Sequence, residues 1–118
     1  MPLIQVDLAQ HIYNELHEQL STEIQAAQVE ALDITPDDLF HVFRPHGPGE
    51  LKFDPGYNDV DRRDLLLIHI TMVHMYPVSK KRALFETIVR RLGALGLRPE
   101  DILISVVENG FEDWYAGR

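Results

Sequence analysis

The chain has 118 residues, 45% of them apolar and 25% charged, which suits one hydrophobic core and argues against wholesale disorder. Eleven Lys and Arg against nineteen Asp and Glu leave a formal charge of −8. That balance argues against nucleic acid as the main partner, because phosphate binding needs a concentrated basic face. With no cysteine, disulfides, thiolate metal sites and Cys nucleophiles are excluded.

The expected elements follow in chain order. The N-terminal MPLIQVDLAQ lacks the basic and long apolar segments of a secretory signal, so a cytoplasmic protein is expected. Within it Ile4, Val6 and Leu8 alternate with polar positions, the pattern of a half-buried strand. From about Ile12 to Leu32, apolar residues at spacings of three or four predict an amphipathic helix, with Ser21 able to cap a shorter one. The turn Asp33–Asp38 then leads to a second strand, Leu39 to Phe43. Residues 44–64, punctuated by Pro45, Gly47, Pro48, Gly49, Pro55 and Gly56, form a linker in which Glu50–Phe53 is a candidate short strand.

The second half repeats this order. A strand is expected from Leu65 to Met75, where Ile68, Ile70 and Met72 echo Ile4, Val6 and Leu8 at an offset of 64. The aliphatic run Leu65–Ile68 is broken by His69 and falls far short of the roughly 20 apolar residues of a membrane span. His69 itself reads as a sheet histidine rather than a catalyst. Pro77 suits the first turn of a second helix, whose apolar face runs from Ala83 to Leu95, and Gly96-Leu97 resembles a left-handed stop. The Lys80-Lys81-Arg82 run reads as a solvated helix face. Arg98–Asp101 opens the last strand, Ile102 to Val107.

ALDITPDDLF (31–40) lies 63 residues before ALGLRPEDIL (94–103), with Ala, Leu, Pro and Asp coinciding. A helix end, turn and strand start shared at one offset signals an internal repeat. The chain is therefore expected to be one α+β domain over 1–118. Its duplicated β-α-β halves, about 2–43 and 65–107, build a four-stranded mixed sheet with both helices on one face. The other face would stay bare, and an oligomer is the simplest cover for it. No two His share a helix face at ligand spacing, and no Gly-rich phosphate loop is followed by a helix, so no metal is expected.

A Pro directly after the initiator Met and opening a strand, within a duplicated β-α-β pattern, resembles the tautomerase superfamily, in particular its malonate semialdehyde decarboxylase-like branch. The stretches carrying the resemblance are PLIQVDL (2–8), ITPDDLF (34–40), GELKFDPGY (49–57), DLLLIHITM (64–72), KKRALFETIV (80–89) and LRPEDILISVVENGFEDW (97–114). The most specific part is Val107-Glu108-Asn109 followed by Trp114. The resemblance implies a cofactor-free homotrimer acting on a small oxo-acid or enol substrate; charge and hydropathy add the expectation of neither nucleic acid nor membrane as partner.

Removal of Met1 would leave Pro2 as a secondary amine. The α-amino reference pKa of about 7.7–8.0 lies closer to neutrality than that of lysine, and burial lowers it further. Such a group can serve as a general base. Being secondary, it can also form an iminium with a carbonyl, or act as an acid if its pKa stays high; the plain alternative is that Pro2 is a chance N-terminal residue. Asp38 falls where the family places a catalytic Asp that assists the prolyl nitrogen, although Asp37, Asp38 and the repeat's Asp101 also suit plain turn positions. Trp114 matches the family's aromatic wall. Where the family holds substrate carboxylate with arginines, this chain has His74 and Tyr76, weaker anchors that are expected to polarise the carbonyl or bind the acid. Backbone N–H groups near Val78 and Ser79, or Arg44, Arg62, Arg63, Lys80, Lys81 or Arg82 from across a subunit boundary, are the alternative anchors. Two residues beyond Trp114, where the family often has Phe, stands Ala116. The leading expectation is keto–enol tautomerisation of a 2-oxo or enol acid by Pro2. The alternatives are decarboxylation or hydration of a 3-oxo acid, and a non-catalytic trimeric binding or scaffold protein.

Overall fold

The computed structural model describes residues 1–118. Strand β1 (Leu3–Ala9) runs directly into helix α1 (Gln10–Leu32), followed by β2 (His41–His46), β3 (Leu66–Val73), helix α2 (Val78–Gly93) and β4 (Ile102–Asn109). The sheet order is β2-β1-β3-β4. Within each half the two strands are parallel (β1 with β2, β3 with β4), as a helical crossover requires, and the halves meet through the antiparallel pair β1–β3. The duplicated β-α-β arrangement is thus borne out.

One face of the sheet is the core. Ile4, Val6, Leu8, Ile68, Ile70 and Met72 alternate inward and join Leu20, Ile24 and Ala27 of α1 and Leu84, Ile88 and Leu92 of α2 in a single cluster. All twelve are fully buried, and each large side chain among them contributes roughly 1.5–3 kcal/mol by leaving water. Across the outer surface of the helices, Arg91 ties α2 to Glu23 and Glu30 of α1 at 3.0 Å each. The opposite sheet face carries no helix and leaves Val42, Leu103 and Val107 each about 40–50% exposed. On that face Asp7 is nearly buried beneath Arg44, which donates two hydrogen bonds to it at 3.1 and 2.9 Å, and His46, at 2.7 Å.

Several boundaries differ from the sequence expectation for identifiable reasons. Helix α1 begins at Gln10 and passes through Ser21 without a break, because the Ser21 hydroxyl bonds His41 Nδ1 (2.8 Å) instead of capping a helix. Strand β2 is shifted to His41–His46 and runs through Pro45, which an edge strand tolerates because its missing N–H faces away from the ladder. Strand β3 stops at Val73, and β4 continues two residues to Asn109, opposite it. Glu50–Phe53 forms no strand; it finds no partner to pair with. Pro77 stands just before α2 rather than inside its first turn. Gly96 does adopt the left-handed conformation (φ 92°), with the Leu97 N–H bonded to the Leu92 carbonyl and Leu97 packed on the core.

Candidate active site

Strand directions decide what meets at one edge of the sheet. Because β2 is parallel to β1, the residues entering β2 lie beside the N-terminus; the Ile4 N–H bonds the Phe40 carbonyl at 2.9 Å. Because β3 is antiparallel to β1, with Leu3 opposite Thr71, its C-terminal end lies there too, and parallel β4 follows it, with Met72 opposite Glu108. Pro2, Asp38, the β3–α2 connection and the end of β4 therefore converge, although they are far apart in sequence.

On the β2 side Asp38 is the central charge. With Met1 present, the chain's α-ammonium lies 3.8 Å from its Oδ2, and Pro2 beneath it is buried. The turn that presents Asp38 is clamped from α1: Gln25 Nε2 donates to the carbonyls of Pro36 (3.1 Å) and Asp38 (2.8 Å). Gln25 Oε1 in turn meets His41 Nε2 at 3.2 Å, and burial pushes the His41 imidazole below its ordinary pKa, favouring the neutral ring. Tyr76 is half-buried next to this corner. Burial, reinforced by the Asp38 charge, pushes its hydroxyl above the ordinary phenol value, so it stays an O–H donor across the neutral range.

On the β4 side the central charge is Glu108. Its Oε1 accepts from Lys81 Nζ at 2.8 Å, and its Oε2 meets His74 Nδ1 at 3.0 Å. The Lys81 hydrogen bond, helped by His74 and only partly offset by desolvation, holds the Glu108 carboxyl below its ordinary value. The His74 N–H bonds the Asn109 carbonyl (2.8 Å), and the Trp114 indole N–H donates to Asn109 Oδ1 (2.8 Å), which fixes the Trp114 ring at the strand end. Five residues singled out in the sequence, Pro2, Asp38, His74, Tyr76 and Trp114, thus lie at one edge. His74 is the least enclosed; its side chain is 78% exposed and turned to Glu108.

Two members of this edge were not the site residues favoured from sequence. Lys81 was expected on a solvated face, and its neighbours Lys80 and Arg82 are exposed, but the Lys81 side chain is only 22% exposed against Glu108. The available signal was its place on the Leu84–Ile88–Leu92 stripe, at spacings of three and four. Glu108 appeared only as part of a motif. A separate cavity of about 530 Å³ opens at the other end of β1, lined among others by His11, Asn14, His46 and Arg63, and involves none of the edge residues.

The model of a family described as tautomerase enzyme matches residues 38–117. The chain belongs to the tautomerase family, and it is an enzyme of that superfamily. It is 34% identical over 119 residues to the probable tautomerase YusQ of Bacillus subtilis (strain 168), covering 99% of this chain and 94% of that one. Among solved structures it is similar to FG41 malonate semialdehyde decarboxylase inhibited by 3-bromopropiolate, with TM-score 0.91, 25% identity, and coverage of 98% and 89%. It also shares the fold of a fused 4-OT wild-type symmetric trimer, with TM-score 0.81, 15% identity, and coverage of 98% and 91%. No helix is long and apolar enough to cross a membrane.

Proposed function

We propose that this tautomerase interconverts the keto and enol forms of a small carbonyl compound, with the Pro2 amine, freed by removal of Met1, as general base. The observation that carries the reading is the convergence of the N-terminus, Asp38 and Tyr76 at one sheet edge. The amine takes a proton from the carbon beside the carbonyl, and the released electron pair moves into the new C=C bond. Charge then gathers on the carbonyl oxygen, where the Tyr76 O–H donates a hydrogen bond. The prolinium returns its proton to that oxygen, so the net change is one proton moved from carbon to oxygen. Asp38 steadies the prolinium, and Trp114 takes the place of the aromatic wall that the family resemblance implies. Relatives named for oxo-acid chemistry point to a small carbonyl compound of that size, either a 2-oxo or enol acid or its uncharged counterpart, reacting next to His74. A homotrimer, by analogy with the fused 4-OT symmetric trimer, would cover the bare sheet face.

Ketonisation of phenylenolpyruvate and of its methyl ester, followed by the loss of enol absorbance, tests this reading. The native protein should exceed the buffer rate on at least one of the two, and Pro2→Ala should return it to within a few-fold of buffer. An intact mass should lack Met1. Buffer-like rates from the native protein on both would contradict the reading. Decarboxylation of a 3-oxo acid is the second reading, favoured by the similarity to the FG41 decarboxylase. Release of acetaldehyde from malonate semialdehyde would establish it.

A further inference from the structure

We propose that Glu108 makes this site selective for uncharged enols and ketones over oxo acids, by occupying the two side chains, Lys81 and His74, that would otherwise hold a substrate carboxylate. The proposal rests on the tautomerase reading of the same edge and names its substrate class.

An acid substrate is held most firmly by a cation whose donors and charge are free. Lys81 and His74 are the basic side chains on the β4 side of the edge, and both are turned to the one carboxylate of Glu108, at 2.8 and 3.0 Å. Lys80 and Arg82 flank Lys81 near the start of α2, each rotated by about 100° round the helix, and both are solvent-exposed. The nearest residue of β2 with a guanidinium, Arg44, is committed to Asp7 on the bare sheet face.

The charge tally at the edge follows. Asp38 and Glu108 supply two negative charges and Lys81 one positive, with His74 adding a second only in its protonated form. With the prolyl amine in its basic, uncharged form, the edge is net negative wherever His74 is neutral. A carboxylate entering there is repelled by Asp38 and finds Lys81 already neutralised, within a molecule whose overall charge is −8. A neutral carbonyl compound meets no such penalty and still finds the Tyr76 hydroxyl as its donor. Glu108 acts on the substrate through Lys81 and His74 and is in that sense a positioning residue.

The matched pair phenylenolpyruvate, an anion, and its methyl ester tests the proposal by kcat/KM. The native protein should favour the ester by at least ten-fold, and Glu108→Gln should shift the ratio at least ten-fold toward the acid. Raising salt from 20 to about 200 mM should speed the acid and leave the ester's rate constant, because screening weakens repulsion between charges. A structural role for Glu108 would move neither the ratio nor the salt response. Native preference for the acid overturns the proposal, as does an unmoved ratio in a Glu108→Gln protein that melts normally. If the native protein turns over neither compound, the tautomerase reading fails separately. The same selectivity is then read from binding of 4-hydroxycinnamate and its methyl ester by NMR titration, where tighter binding of the acid again overturns the proposal. Should Glu108→Gln not fold, the native ratio and its salt dependence decide alone.

Discussion

Asp38 and Asp101 occupy the same place in the two halves of the duplication, 63 residues apart, yet their surroundings differ. Asp101 is buried, and its Oδ1 accepts the Arg63 backbone N–H at 2.8 Å and the Arg98 guanidinium at 3.2 Å, pinning the linker against the start of β4. Asp38 has a side chain 25% exposed, its backbone rather than its carboxylate is clamped by Gln25, and its charge faces the N-terminus and Tyr76. One turn sequence has thus become a brace in the second half and an open charge in the first. The difference lies in what the chain brings alongside: the incoming linker at one end, the N-terminal residues at the other.

Substitutions sharpen this comparison. The largest loss of activity outside Pro2 is expected for Tyr76→Phe, which should lower kcat about 10²-fold while hardly shifting the melting midpoint, as removal of a donor to a developing oxyanion does. Asp38→Asn should lower kcat/KM about ten-fold at unchanged stability. Asp101→Ala should do the reverse, costing about 2 kcal/mol of stability and lowering the melting midpoint by roughly 8 °C, with kcat retained at 20 °C. Equal melting losses for Asp38 and Asp101 variants would erase the distinction between charge and brace.

The smallest effect concerns pH. The hydrogen bond from Asp7 raises the His46 pKa above 6.5, with Glu50 adding to it against some desolvation. Desolvation pushes the Asp7 carboxyl up, but the bonds from His46 and Arg44 outweigh it and leave the pKa below 3.8. A raised histidine pKa contributes stability that is fully present below pH 6.5 and lost as pH climbs through the folded-state value. The lowered Asp7 pKa contributes stability above pH 3.8 that is lost as pH falls. His46→Gln should therefore lower the melting midpoint more at pH 5.5 than at pH 9, by a few degrees at most.

Much of the fold was legible because it rests on periodicity. Ile4, Val6 and Leu8 with Ile68, Ile70 and Met72 alternate as strands, and Leu84, Ile88 and Leu92 keep helical spacing, so local pattern and burial agree. The shift of β2 was not legible, since Leu39 and Phe40 are as apolar as the true strand residues, and only pairing with β1 decides the register. The site was legible where one residue carries the signal, as Pro2 and Trp114 do through family resemblance. Lys81–Glu108 and Gln25–Asp38 were not, because each pair joins residues 27 and 13 positions apart and exists only once helix and sheet have packed.

Covalent trapping of the amine tests the central claim most directly. A neutral prolyl amine adds to the terminal alkyne carbon of but-3-yn-2-one, with the proton passing to the neighbouring carbon, and the adduct can be placed by peptide mapping. The account predicts one adduct per chain, on Pro2, with activity falling in step with its formation. An N-terminal peptide that stays unmodified, or that still carries Met1, in a protein of full tautomerase activity would contradict it.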